Sequence, residues 1–202
     1  MADAEGLVAD VLRRAQGLGF IGPGPVEPHV AHSRRFASAV PAPPDRAVDL
    51  GSGGGLPGLV LALDWPGTAW VLVEANRRRA GFLDRAVQDL GLSGRVTVDH
   101  RRAEQVGRDT QRRAQRDLVV SRAFGPPAVV AECAAPLLRV GGLLVVSEPP
   151  RPDAARWPRE PLSELGLAVE DQRGGLIRLR QEQPCPSRYP RRDGVPAKRP
   201  LF

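Results

Sequence analysis

The run Asp49-Leu50-Gly51-Ser52-Gly53-Gly54-Gly55-Leu56-Pro57-Gly58 holds the residue types and spacing most apt for chemistry in this chain. It follows an apolar, strand-like stretch and opens a helix-like one, the setting of a turn that cradles a nucleotide-type cofactor. Glycine permits the tight turn and lets a ligand approach the backbone where a Cβ would collide. Pro57 suits a first helical turn, which has no use for the N–H that proline lacks. Other chemistries find no constellation. His29, His32 and His100 form no ligand set with Cys133 and Cys185, so no metal site is expected, and no serine stands in a nucleophile elbow. Two distant cysteines are also too few for a disulfide framework, which points to a reducing, cytoplasmic setting.

Two cofactors fit the turn. Gly53-x-Gly55-x-x-Gly58 matches the dinucleotide fingerprint, with Glu74 near the place of the ribose-binding acid. Asp49-x-Gly51-x-Gly53-x-Gly55 is the acid-plus-glycines pattern of enzymes that bind S-adenosylmethionine. There Asp49 supports the loop and the cofactor's amino-acid end, and Glu74 accepts both ribose hydroxyls. Asp49 favours S-adenosylmethionine, because a carboxylate beside a bound pyrophosphate meets like charge.

The elements that must position this turn are legible from periodicity. Residues 3–16 place Leu7, Val8, Val11 and Leu12 at helical spacing, and a second helix is expected over 26–40 after a Gly/Pro break. From Arg46 onward, short apolar strands (Ala47–Leu50, Ala69–Glu74, Val96–Asp99, Asp117–Ser121, Leu143–Ser147) alternate with helices near 57–64, 76–90, 103–107 and 126–138. Such alternation predicts an α/β, doubly wound, mostly parallel sheet covered on both faces. Stretches 165–170 and 175–180 flank Gly174-Gly175 and add an antiparallel hairpin, for seven strands in all. The predicted organisation is an N-terminal helical cap over 1–44, a cofactor-binding domain over 45–183 and an irregular basic tail over 184–202. No apolar run is long enough to span a bilayer, and the opening residues have no apolar core of a secretory signal. Net charge is +6, carried almost wholly by arginine, with Lys198 the single lysine. Arginine abundance by itself fits a GC-rich coding bias, so position matters more than number.

Further motifs give the chain a family likeness. Gly55-Leu56-Pro57-Gly58 is followed by Arg102-Ala103-Glu104 after the third strand and Ser121-Arg122-Ala123-Phe124 at the end of the fourth. The C-terminus carries Arg188-Tyr189-Pro190-Arg191-Arg192, then Gly194, Pro196, Lys198, Arg199, Pro200 and Leu201. In this order the motifs resemble the RsmG (GidB) family of small-subunit (16S) ribosomal RNA guanine-N7 methyltransferases, over the stretch from about Asp49 to the end. The resemblance implies the class I S-adenosylmethionine-dependent methyltransferase fold, which is Rossmann-like, with that cofactor. It implies that Gly51 and Leu56 line the cofactor loop, that Ala103 and Glu104 hold the adenine region, and that Arg122 sits at the cofactor and acceptor mouth as the catalytic residue. Read without the likeness, Glu104 also suits a solvated first-turn acid, and Arg122 a surface ion pair. The chain departs from the family in a short N-terminus, where His32 is a stand-in for the family's first histidine. It also departs at Ser147-Glu148-Pro149, where Glu148 in place of a cation would weaken attraction for phosphate.

The residues after the fourth strand bear on the acceptor. Ser121-Arg122-Ala123-Phe124-Gly125-Pro126-Pro127 lacks the Asn/Asp-Pro-Pro-aromatic set that orients an exocyclic amine, and Cys185 lies too far along the chain to attack a pyrimidine carbon. Guanine N7 already offers a lone pair, so no general base is needed. Within 184–202 five cations, Arg188, Arg191, Arg192, Lys198 and Arg199, stand against Asp193 alone, with Tyr189 and Phe202 available to stack on bases. The expected partner is ribosomal RNA or the small ribosomal subunit, with no membrane, and the expected state a monomer. Arg112, Arg113 and Arg116 are read as a solvated loop face. Three alternatives stay open: the same fold with another RNA or small-molecule acceptor, a nicotinamide-dependent oxidoreductase, and a non-catalytic RNA-binding protein.

Overall fold

Five valine- and leucine-rich runs become the parallel strands β1 (Arg46–Leu50), β2 (Ala69–Val73), β3 (Val96–Asp99), β4 (Arg116–Ser121) and β5 (Leu138–Ser147) in the computed structural model, which describes residues 2–151 and 153–202. β6 (Leu167–Arg173) and β7 (Leu176–Gln181) form the expected hairpin, turned by Gly174 and Gly175, both at positive φ. The strand order is β3-β2-β1-β4-β5-β7-β6, and β7 runs antiparallel to both its neighbours. The dinucleotide-binding sheet runs 3-2-1-4-5-6. The inserted antiparallel β7 therefore sets this sheet apart from the oxidoreductase alternative.

Each strand feeds both faces of the sheet through its two-residue period. Val48, Leu50, Val71, Val73, Val119, Leu144 and Val146 enter one buried cluster; Ala47, Trp70, Leu72, Leu118, Val120, Leu143 and Val145 enter the other. The first face is covered by α5 (Ala103–Arg108), α6 (Pro127–Ala134) and α7 (Arg159–Glu164). The second is covered by α3 (Gly58–Asp64) and α4 (Arg77–Asp89), joined by α1 (Ala2–Gly17) and α2 (Glu27–Ser38). The N-terminal pair docks through Val8, Leu12 and Val26 onto Leu56 and Val60, and through Val11 and Phe36 onto the sheet-facing cluster. Leu7, expected on the same apolar stripe, stands 46% exposed.

Three elements differ from the sequence expectation. The helix expected to reach residue 138 stops at Ala134, and a 3-10 turn over Ala135–Leu137 leads straight into β5. Pro136 removes the N–H that a longer helix would need. α7 and α8 (Val195–Lys198) are too short to show a helical period in sequence. The segment expected to be an irregular tail is packed against the body. Tyr189, only 5% exposed, joins the first cluster with the partly buried Leu201 and Phe202 packed against it, so Tyr189 is not available to stack on bases. Arg191 donates through Nε and Nη2 to the two oxygens of the buried Glu132, at 2.8 and 2.6 Å, which removes it from the RNA-facing set. Arg113, expected in solvent, holds this segment by donating to the carbonyls of Tyr189 and Cys185 at 2.6 and 3.0 Å, and Arg116 is buried. Sequence hides all of this because the acids that capture the tail lie far away along the chain.

Candidate active site

β1 and β4 are neighbours, and the sheet order reverses between them, so their carboxyl ends open a crevice of the kind that holds ligands in α/β sheets. The glycine turn leaves β1 into this crevice. Gly51 and Ser52 both donate their N–H to the Val73 carbonyl at 3.0 Å, which ties the turn to the end of β2. Gly51 adopts φ +76°, and a Cβ there would stand 2.3 Å from Phe124 Cδ2. Glycine is therefore required twice at this position, by conformation and by space.

Asp49 is wholly buried beneath the turn. Its Oδ2 accepts from Gly58 N–H at 2.9 Å, which fastens the start of α3, while its Oδ1 has no partner. Burial pushes its pKa up to about 7. Glu74 lies at the end of β2, where Oε2 accepts from Gly53 N–H at 2.9 Å and Oε1 from Asn76 N–H at 2.7 Å. Each oxygen keeps a further lone pair for a donor in the crevice. At the end of β4, Ala123 takes φ +55°, uncommon for a residue with a Cβ and costly where it occurs. That backbone turns Arg122 inward. Arg122 Nη2 donates to His29 Nδ1 at 2.8 Å, and its buried Nη1 has no partner. Burial, then the neighbouring Arg122 charge, holds the His29 pKa below its usual value.

The crevice consists of three adjoining hollows. One of about 300 Å³ is lined by Gly51, Gly53, Leu56, Arg79 and Arg122, with Phe20 and His29. A second of about 230 Å³ adds Glu74, Ala103, Arg101 and Phe124. The third, about 340 Å³, lies beyond Arg122 and Ala123 and reaches His32, Ser147, Arg156 and Trp157. Of the expected cofactor residues, the structure thus brings Gly51, Gly53, Leu56, Glu74, Ala103 and Arg122 to the cavity walls. Asp49 and Gly55 lie behind the wall, with Gly55 packed on Leu59. Glu104 does not reach it at all, because its Oε1 accepts from Gly194 N–H at 2.8 Å and so holds the C-terminal segment. Glu148 likewise departs from expectation. Its Oε2 meets Arg156 Nε at 3.1 Å and its Oε1 meets Trp157 Nε1 at 3.2 Å, so it is a neutralised anchor rather than a free negative charge at the mouth.

Several wall residues carried little signal in the sequence. His29 was visible only as one polar residue of α2, and it is His29, not His32, that bonds Arg122. Arg79 belongs to a triple-arginine run that reads as an exposed helix end, yet its guanidinium lies 5.8 Å from the centre of the Phe20 ring, at the cavity. Phe20 and Ile21 come from the linker between α1 and α2, where no periodicity marks them. Arg188 projects outward over the Tyr189 ring, and Arg192, Lys198 and Arg199 are exposed.

Residues with donors and acceptors left open at a glycine turn suit S-adenosylmethionine: Glu74 for two hydroxyls, and the free Arg122 Nη1 for an acceptor on the ligand. Comparison with known proteins agrees. Residues 26–149 match the family described as GidB, rRNA small subunit methyltransferase G. The chain is 40% identical over 170 residues to ribosomal RNA small subunit methyltransferase G of Rubrobacter xylanophilus, covering 77% of this chain and 65% of that protein. It is 40% identical over 175 residues to the same enzyme of Prochlorococcus marinus, covering 78% and 68%. The match thus spans about two thirds of these relatives' lengths. Among solved structures, cofactor-bound Rv0187 from MTB aligns with TM-score 0.64 at 21% identity over 88% of this chain and 91% of that one. A putative O-methyltransferase from Klebsiella pneumoniae aligns with TM-score 0.63 at 15% identity over 88% and 90%. At these identities the structures speak for the fold, that of class I methyltransferases, and the family rests on the sequence matches: the chain belongs to the rRNA small subunit methyltransferase G family.

Proposed function

We propose that this protein transfers a methyl group from S-adenosylmethionine to guanine N7 in small-subunit (16S) ribosomal RNA, as a cytoplasmic monomer. The observation that carries the reading is the buried, unpartnered Arg122 Nη1 on the wall of the glycine-turn cavity, in a chain of this family. A buried polar group without a partner costs about 1–3 kcal/mol, so its persistence points to a ligand that completes it. Bound there, the cofactor supplies a sulfonium methyl. Gly51, Gly53 and Leu56 form the wall of its loop, Glu74 accepts ribose hydroxyls, and Ala103 flanks the adenine. Asp49 and Gly55 act from behind by holding the turn in shape, and Glu104 acts at a distance by holding the C-terminal segment. Arg122, aimed by His29, faces both cofactor and acceptor.

No general base is required, because N7 brings its own lone pair. The residues need only align the two reactants and exclude water, and such alignment contributes up to about 7–11 kcal/mol. Among the described residues no group of three or more metal-ligating side chains is assembled. No helix among them is long and apolar enough to cross a membrane. Arg188, Arg192, Lys198 and Arg199 are the RNA-facing cations of the C-terminal segment. The chain is organised as a helical cap over 1–44, the cofactor-binding domain over 45–183 and a basic segment over 184–202.

The test is transfer of labelled methyl to small ribosomal subunits that lack the modification, with naked ribosomal RNA and transfer RNA in parallel. The expected product is N7-methylguanosine in small-subunit RNA, lost in Arg122→Ala. Cofactor binding without label on any RNA would refute the acceptor.

A further inference from the structure

The third hollow, beyond Arg122 and Ala123, holds a second arginine that no part of the cofactor site uses. Arg156 ends a short 3-10 turn, and its side chain is one-third exposed toward the cavity. Its aim is set from behind. Glu148 has a side chain only 1% exposed and takes Arg156 Nε on one oxygen and the indole N–H of the buried Trp157 on the other. Glu148 is itself fixed, because its N–H donates to Gly175 O at 2.8 Å in the β6–β7 turn. A buried carboxylate held in this way is an expensive feature for a surface loop, since a charge removed from water needs a partner in good geometry. With Nε engaged, among the described residues no acceptor meets the two terminal nitrogens of Arg156. The result is a rigid, forked pair of donors on a cavity whose other cation is Arg122.

We propose that Arg156 binds a phosphate of the acceptor RNA strand at this hollow, and that Glu148 and Trp157 are positioning residues that aim it. This deepens the function proposed above and rests on RNA being the acceptor. A planar guanidinium with two free donors matches two oxygens of a phosphate. The other fork that guanidinium reads well, guanine O6 with N7, would cover the atom to be methylated, so the base itself is not its target. Arg122 lines both this hollow and the cofactor wall. A strand held by phosphate at Arg156 therefore presents its base at the boundary between the two.

The experiment measures binding of a single-stranded fragment of small-subunit ribosomal RNA across a salt series, for the wild-type chain and for Arg156→Ala, Arg156→Lys and Arg156→Gln. The glutamine variant retains a donor for Glu148, so it keeps the test valid if the alanine variant folds poorly. Loss of one phosphate contact lowers the slope of log K against log salt by about 0.7 and weakens binding at low salt about tenfold. Lysine restores the slope but not the full affinity. Glu148→Gln weakens binding with the slope retained, because the charge remains and only its aim is lost. S-adenosylhomocysteine affinity stays at the wild-type value throughout, and for methyl transfer to subunits KM rises while kcat holds. An unchanged salt slope in Arg156→Ala and Arg156→Gln, or a parallel fall in S-adenosylhomocysteine affinity, overturns the proposal. Because RNA binding is read without catalysis, a wild-type chain that binds the RNA and methylates none of it sinks the proposed function and leaves the Arg156 contact to be decided by the slope.

Discussion

The glycine turn and the C-terminal segment are both rich in polar groups placed against acids, and they dispose of those groups in opposite ways. In the C-terminal segment the groups are matched: Arg191 with Glu132, Gly194 N–H with Glu104, Asp193 with Arg108 and Gln105, and Arg113 with a set of backbone carbonyls. At the turn, Arg122 Nη1 is buried on the cavity wall without a partner, and Asp49 Oδ1 is left open behind it. Satisfied polar networks hold a structure in place, whereas unsatisfied ones in a crevice wait for a ligand. The contrast teaches that a motif's charge does not say which of these it does. Both segments carry family motifs; one faces the cavity, and much of the other is a clasp.

The largest effect expected from this contrast belongs to Asp49. Its proton is bound more tightly in the folded chain, near pH 7, than at the ordinary carboxylate value of 3.8. Its contribution to stability is therefore full below about pH 4 and is lost as pH rises toward 7, a swing on the order of 4 kcal/mol. Urea unfolding at several pH values should show wild-type stability falling through that window and a flatter profile in Asp49→Asn. An identical slope in the two proteins would mean that the turn is as well satisfied as the clasp.

The converse change is Arg191→Ala, which leaves the buried Glu132 without its guanidinium, holding only the backbone N–H of residue 191, and should cost about 3 kcal/mol of stability. A loss no larger than that of an exposed arginine, about 0.5 kcal/mol or less, would return Arg191 to the RNA-facing set. Gly51→Ala forces a side chain into positive φ and onto Phe124, for about 1–3 kcal/mol of strain. Because the strain sits at the cavity wall, calorimetry should find S-adenosylhomocysteine binding weakened by tenfold or so. Retained affinity would show that Gly51 serves the fold alone. The smallest stability change is expected for Lys198→Ala with Arg199→Ala, within about 0.5 kcal/mol. The same pair should lower the salt slope of RNA binding by about 0.7 for each cation, and a flat response would leave the exposed end of the segment with no RNA role.

How much of this could be read in advance depended on the range of the interaction. β1 to β5, the hairpin turned at Gly174-Gly175 and the amphipathic α1 declare themselves because each is a local period of apolar residues. The glycine turn is legible for a related reason, since positive φ and close approach are demands on single residues that glycine alone meets. His29, Phe20 and Arg79 were not legible as wall residues, because what brings them to the crevice is the docking of α1, α2 and their linker on the sheet. Glu148 reads as a free charge in the sequence, since its pairing with Arg156 and its hydrogen bond from Trp157 are matters of side-chain direction across a loop.

The amino-acid order therefore settled, without help, the alternating α/β architecture, the cofactor turn and the family motifs, all of which are written in neighbouring residues. Which charges face solvent, which hold the chain and which are left open for a ligand came only with the fold. An ion pair such as Arg191–Glu132, or a hydrogen bond such as Arg122–His29, joins residues 59 and 93 positions apart. A carboxylate carries no mark in the sequence to say whether its partner will be a backbone amide, an arginine or a ligand. Burial makes that choice, because only away from water does the absence of a partner cost enough to matter.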